Sequence, residues 1–233
     1  DVIFCAIAQV APERVNGCAY GTINALSLAG HRQNGSRWVM FSFFGGGHGG
    51  HPYGDGLNHG NAPISTATIP PAEILEAAYP VMFTQWALRP DSGGPGRHRG
   101  GLGAVYEIEL LEETANAFVF GERGKFGPPG VLGGGTGARN VFRYEQNDGY
   151  HSPPQISKMV GIKITRGQHL RLETPGGGGY GAANQRDPKA VARDVALGYV
   201  TPAMAETDYL VRLDAHGDPD MPATELLRKA AQS

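Results

Sequence analysis

Cysteine is nearly missing: Cys5 and Cys18 are the only 2 in 233 residues. A single pair builds neither a disulfide framework nor a four-cysteine zinc site, and it fits a reducing, cytoplasmic setting. With apolar neighbours, both are expected in the core rather than as nucleophiles. Net charge is nearly missing too, since 20 Lys and Arg stand against 22 Asp and Glu, for −2. Without a field of one sign there is no general pull on nucleic acid or on an acidic membrane surface, and neither is expected as a partner. No apolar run approaches the ~18 residues of a membrane span. The stretch 4–11 (FCAIAQVA) is short and has no basic leader, so it does not read as a signal peptide. GxxxxGK[ST] and GxSxG are both absent, which removes a phosphate loop and the nucleophile elbow of the α/β-hydrolases. The first residue is Asp1 rather than methionine, as expected of a processed product or a piece of something longer.

What is plentiful is glycine, with 36 residues, about twice the usual ~7%. There is no Gly-X-Y period, so collagen is excluded. The glycines fall in runs between apolar segments, at 45–50 (GGGHGG), 93–103 (GGPGRHRGGLG), 127–137 (GPPGVLGGGTG) and 176–181 (GGGGYG). Tight corners of a β-rich body are one reading, and close approach of backbone to a ligand or to other backbone is another. Gly45, Gly47 and Gly50 satisfy GxGxxG after a strand. Residues 51–54 (HPYG) follow, however, and cannot open the helix whose N-terminus holds a pyrophosphate.

Periodicity predicts the elements. Apolar spacing in 2–15 suits a helix ending near Pro12, and 70–80 (PPAEILEAAYP) a short helix bracketed by prolines. Residues 38–44 (WVMFSFF) suit a buried strand, and 81–88, 104–111, 117–121, 141–144, 158–164 and 169–173 are further strands. Asp187-Pro188 and Thr201-Pro202 are cap-plus-proline starts of two helices, and a third is expected over 222–231 with Leu226 and Leu227 as its apolar contacts. Residues 209–213 are expected as a short strand. The fold class is α+β: a β-rich body, sandwich or barrel-like, over 1–185, with an N-terminal helix and glycine-rich loops. A helical tail over 186–233 packs on it.

The first glycine run has chemistry beside it. His48, His51, Asp55 and His59 are the catalytic candidates, on a substrate-binding loop of Gly45, Gly46, Gly47, Gly49 and Gly50 with the amides of Asn58 and Asn61. Imidazole and carboxylate are the ligand set of zinc, manganese and iron, but without HExxH the metal stays open. Solvated or backbone-bonded loop histidines are the alternative. Arg97, His98 and Arg99 form a basic knot, expected as a salt-bridged or solvated turn rather than an anion site. Arg123 and Lys125 are a weaker pair of the same kind.

Several strings together resemble the hydantoinase B/oxoprolinase family: 88–103 (LRPDSGGPGRHRGGLG), 173–181 (ETPGGGGYG) and 186–198 (RDPKAVARDVALG), supported by 8–15 (AQVAPERV), 45–50 and 76–80 (EAAYP). The resemblance covers nearly the whole chain and corresponds to the C-terminal half of a subunit about twice as long. It implies a segment of an ATP-dependent cyclic-amide hydrolase acting on a hydantoin, 5-oxoproline or lactam ring. The implied partners are a hydantoinase A-type subunit that binds ATP with Mg, and the N-terminal half of the hydantoinase B subunit carrying a divalent metal, Zn or Mn. A two-fold hetero-oligomer in the cytoplasm, inactive as this segment alone, is the implied assembly. Phe43, Phe44, Val81 and Phe83 are expected on the surface covered by the other half. The related acetone and acetophenone carboxylases make an ATP-dependent ketone carboxylase the alternative, and a purely structural half is the non-enzymatic one. The stretch 58–71 (NHGNAPISTATIPP) lacks the arginine many hydantoinases carry there, which implies a different substrate.

Overall fold

Alternation along the strands decides which faces meet. In this computed structural model, which describes residues 1–21, 23–61 and 70–231, β1 (Asn24–His31) pairs antiparallel with β2 (Arg37–Phe44). Strand β2 buries Trp38, Met40, Ser42 and Phe44 and turns Arg37, Val39, Phe41 and Phe43 outward. β3 (Val81–Leu88), β4 (Ala104–Leu110), β5 (Thr114–Phe120), β6 (Val141–Gln146), β7 (Gly149–His151), β8 (Lys158–Thr165) and β9 (His169–Glu173) follow. They form two antiparallel sheets, of order β2-β1-β5-β8 and β3-β4-β9-β6-β7. Inward residues of the first sheet (Leu26, Leu28, Met40, Phe44, Ala117, Ile162) share one core with those of the second (Tyr106, Ile108, Leu110, Phe142, Leu170, Leu172). Each such leucine or isoleucine contributes about 1.5–3 kcal/mol by leaving water. Both sheets stay open at their edges, so of the two expected forms the fold is the sandwich.

The helices are short. α1 (Val2–Ile7) ends well before Pro12 and buries none of its residues; a 3-10 turn at Pro12–Arg14 follows. Cys18 is buried as expected, but Cys5, on α1, is exposed, because that helix has no covering layer. α2 (Ala72–Ala78) buries Leu75. α3 (Pro188–Ala196), α4 (Pro202–Thr207) and α5 (Met221–Ala230) each begin under a capping side chain. Asp187, Thr201 and Asp220 accept from the backbone N–H of Lys189, Met204 and Ala223, each cap adding about 1 kcal/mol. These helices enclose a second apolar cluster of Val191, Val200, Ala205, Tyr209 and Val211.

Some expectations fail for local reasons. Residues 209–213 do not form a strand: Leu210 has φ 54, a left-handed kink, and only Leu213 bridges, to Pro219. Leu226 of α5 is exposed; the buried residue on that helix is Thr224, whose hydroxyl accepts from the Arg212 N–H. Phe44 and Val81 lie in the core, and Phe83 is half-buried. Phe43 is exposed as expected, on an apolar face shared with Val39, Phe41, Phe118, Phe120 and Val160 on the outer side of the first sheet. β1 was not expected. Its alanines, serine and glycine carry little strand propensity, yet Gly30 is what admits Trp38: a Cβ there would stand 2.8 Å from the Thr114 carbonyl and 3.1 Å from the indole.

The glycine runs all lie at one end of the sandwich, off the ends of β2, β3 and β9 and the starts of β4 and β6. They are neither helix nor sheet. Extended segments cross there backbone against backbone and hydrogen-bond in rings. Gly17 N–H donates to Gly50 O at 2.8 Å, Gly50 N–H to Gly178 O at 2.9 Å and Gly178 N–H to Cys18 O at 2.8 Å. Beside this ring, Gly94 N–H donates to Gly177 O, Gly177 N–H to Gly101 O and Gly101 N–H to His48 O. A Cβ on Gly47 would stand 1.8 Å from Gly101 O, on Gly49 1.7 Å from Gly17 O, and on Gly177 1.9 Å from His48 O. None of these positions has a left-handed φ, so space alone requires glycine.

This packing makes Gly47→Ala and Gly49→Ala expensive, at about 3 kcal/mol or complete loss of folding. Gly217→Ala, at φ 86 with nothing within 4 Å, should lose only about 1 kcal/mol. Urea unfolding of the three variants checks this, and equal losses would contradict the backbone crossings.

Candidate functional site

Residues 45–61 form an extended hairpin along the glycine bundle. Gly46 and Gly60 exchange backbone hydrogen bonds at 3.0 and 2.8 Å, and His48 N–H donates to Leu57 O. The turn lies at 51–54, where His51 and Gly54 exchange backbone bonds. The hairpin therefore separates the candidate residues: His59 stands at its base, His48 along it, and His51 and Asp55 at its tip.

At the base, His59 (φ 48) hydrogen-bonds through Nε2 to the Tyr106 hydroxyl. Its ring lies edge-on to Trp86 at 6.2 Å, and Trp86 packs on Phe83 and Tyr106. Burial lowers the His59 pKa and raises that of Tyr106 well above its ordinary value. The pair is therefore neutral near pH 7, an imidazole against a phenol. His48 donates from Nε2 to the Asn61 carbonyl at 2.6 Å, which fixes its tautomer. Tyr20 donates to the Asn61 side-chain oxygen at 3.3 Å.

At the tip, His51 Nδ1 accepts from the Tyr53 N–H, next to a tyrosine ring that is 92% exposed. Asp55 is gripped by an arginine: Arg186 Nη1 and Nη2 donate to its two oxygens at 2.6 Å each, and the Arg99 N–H adds a third bond at 2.7 Å. Arg186 also donates to Asp194 Oδ2 at 2.8 Å, and Arg99 Nε lies 3.4 Å from the same atom. Asn58 accepts from Arg99 and from the Leu102 N–H. Two guanidinium groups and two carboxylates thus join the hairpin, the 93–103 run and α3. Burial alone would raise the Asp55 carboxyl, but the hydrogen bonds and charge of Arg186, with Arg99 behind them, hold it below its ordinary value.

Gly45, Gly46, Gly47, Gly49 and Gly50 are buried in the bundle. The amides of Gly46, Gly47 and Gly50 donate to Gly60, Pro175 and Gly178, so these three are committed to neighbouring backbone. The basic knot is resolved as a salt-bridged turn at Arg99, whereas Arg97 is exposed and His98 is lowered by burial and then by Arg97. The donor set does not fit a metal. Asp55 is held by Arg186, His48 and His59 each bond through Nε2, and His51 sits apart; among the described residues no group of His, Cys, Asp and Glu is arranged for an ion. The runs do not fit a nucleotide phosphate either, because many of their N–H groups, among them those of Gly50, Gly94, Gly101, Gly177 and Gly178, already donate to backbone carbonyls. Residues 62–69 of the substrate-related stretch lie outside the described residues.

Sequence reasoning missed Arg186, Asp194, Tyr106 and Trp86. Asp194 carried a signal, as a carboxylate on the buried side of an amphipathic helix. Arg186 carried none, since its partner Asp55 is 131 residues away.

Residues 1–183 match the family model described as hydantoinase B/oxoprolinase. An uncharacterized protein of Methanocaldococcus jannaschii is 32% identical over 98% of this chain and 39% of its own length. Caprolactamase subunit beta of Pseudomonas jessenii is 30% identical over 99% of this chain and 41% of its own. The crystal structure of ATP-dependent caprolactamase from Pseudomonas jessenii superposes with TM-score 0.83 at 29% identity, covering 97% of this chain and 40% of that one. Nucleotide-free acetone carboxylase superposes at 0.78 with 22% identity, over 97% and 35%, a likeness of fold alone. The chain spans about two fifths of the length of the curated relatives it matches.

The ion network has a pH signature. A carboxyl whose folded pKa is depressed stabilises above its ordinary value, near 3.8 for Asp55, and loses that stabilisation as pH falls through the folded value. Wild type should weaken steeply below about pH 4, and Asp55→Asn, weaker at pH 7, should lose less of its remaining stability there. Asp194→Ala, which leaves the buried Arg99 guanidinium without a carboxylate partner, should lose about 3 kcal/mol at pH 7. Urea midpoints between acid and neutral pH measure both.

Proposed function

Because this chain belongs to the hydantoinase B/oxoprolinase family, we propose that it is the segment of a cyclic-amide hydrolase subunit that supplies a rigid platform beside the reacting ring. The observation that carries this reading is the likeness to caprolactamase subunit beta over 99% of the chain, matched by the superposition on the ATP-dependent caprolactamase. The substrate class is an unactivated cyclic amide: a lactam, hydantoin or 5-oxoproline. Neither ATP nor a metal fits the residues described above. The proposal puts ATP with Mg on a hydantoinase A-type partner, and a divalent metal, Zn or Mn, on the rest of the hydantoinase B-type polypeptide, in keeping with the family resemblance. A cytoplasmic hetero-oligomer with two-fold symmetry is the proposed assembly.

Within this chain the proposal narrows the candidate set. Asp55 and His48 hold the hairpin, Asn58 holds Arg99, and the glycines of 45–50 hold the bundle. His59 is the group retained for chemistry. Its imidazole is neutral and bonded to the Tyr106 phenol beside an aromatic wall, so it can pass a proton to or from a ring nitrogen without first shedding its own charge.

The test is the assembled complex, with this segment in its full-length subunit and the ATP-binding partner present. Ring opening of caprolactam, hydantoin and 5-oxoproline is followed with and without ATP, and with and without bicarbonate. ATP-dependent opening of one ring without bicarbonate is expected, with kcat falling about 100-fold in His59→Ala. A bicarbonate requirement on a ketone substrate would turn the reading to a carboxylase. Full turnover with His48, His51, Asp55 and His59 each replaced would leave the segment a structural role.

A further inference from the structure

The sulfur atoms of Cys5 and Cys18 lie 3.3 Å apart, already in contact through an S–H···S bond. They come from opposite mechanical settings. Cys18 is welded into the glycine bundle: its N–H donates to Pro129 O at 2.9 Å and its carbonyl accepts from Gly178 N–H. Cys5 is exposed on α1, a helix with no buried residue. Beyond the thiol contact, α1 is held from Asp1, which pairs with Arg123 at 2.6 Å and accepts from the Ala19 N–H at 3.4 Å. Val2, Ile3 and Phe4 of α1 line a groove of about 1110 Å³ together with Phe126 and Ile156.

We propose that Cys5 and Cys18 are a redox-active dithiol whose disulfide staples α1 to the glycine bundle and fixes this wall of the groove. The oxidant is a low-molecular-weight disulfide of the glutathione class. Burial, and then the bond from Cys5, raises the Cys18 thiol to about 11, so the exposed Cys5 is the entering group. The Cys5 thiolate attacks the small disulfide, forms a mixed disulfide and releases one thiolate. Cys18, deprotonated in turn, attacks the Cys5 sulfur and expels the second. The protein loses two electrons and two protons, and the small disulfide becomes two thiols. An exposed bridge of this kind is reducible, so the staple is reversible. The inference does not rest on the proposed enzymatic reading.

The experiment equilibrates the full-length subunit that carries this segment with oxidised and reduced glutathione at graded ratios, quenches with acid, alkylates after unfolding, and maps peptides by mass. The expected result is loss of one hydrogen pair, both thiols resistant to alkylation, and a cross-linked peptide joining positions 5 and 18. Protease cleavage just after α1 should slow several-fold in that form and recover on reduction. Cys18→Ser should stop at a glutathione adduct on Cys5, and Cys5→Ser should take up no adduct while folded. A persistent adduct on wild-type Cys5 with Cys18 still alkylated, chains cross-linked through Cys5, or no oxidation at any ratio would each overturn the proposal. Should a variant fail to fold, the wild-type peptide map decides alone.

Discussion

No Cβ fits where the glycine segments cross, and the rest of the molecule is arranged around that exclusion. A buried amide must find a partner, and these segments have no sheet to supply one. They supply it to each other in rings, such as that through Gly17, Gly50 and Gly178. Rings need chains closer than a side chain allows, so composition follows from geometry. The bundle then sets what lies beside it. It ends the strands at a common level, holds the 45–61 hairpin straight, and keeps His59 at the hairpin's base against Tyr106.

The sheets were largely legible because their evidence is local. The short aromatic run of 38–44 and the alternation in 104–111 need no distant partner to be read, and the capping residues Asp187 and Thr201 announce their helices by chemistry within one turn. The misses are equally physical. β1 is stabilised by its neighbours and by the room Gly30 leaves for Trp38, not by its own propensity. Residues 209–213 are apolar like a strand, but Leu210 is left-handed and breaks the extended run, while Tyr209 and Val211 pack in the helical cluster. The glycine runs were visible as an anomaly whose meaning lay with partners far along the chain. Backbone meeting backbone and backbone meeting a ligand write the same sequence.

The candidate site shows the same limit. His48, His51, Asp55 and His59 are close in sequence, and an extended hairpin draws that closeness out along its length. What comes together instead is non-local: Asp55 with Arg186, Asp194 with Arg99, His59 with Tyr106. The four-membered ion network is balanced, with two cations and two anions. Such networks serve position more than stability, since desolvation offsets most of the attraction. Here the position served is the docking of α3 on the hairpin tip.

The ring through Gly17, Gly50 and Gly178 also orders events in time. Its members are born far apart, because translation proceeds at roughly 5–20 residues per second. Residues 16–19 and 45–50 leave the ribosome several seconds or more before residues 176–181 exist, and until then their amides have only water. Strands β1 and β2 can pair at once, being neighbours, whereas the bundle is closed by the last glycine run to arrive. The early glycine segments therefore stay open until residues 176–181 are made, and that run acts as the keystone.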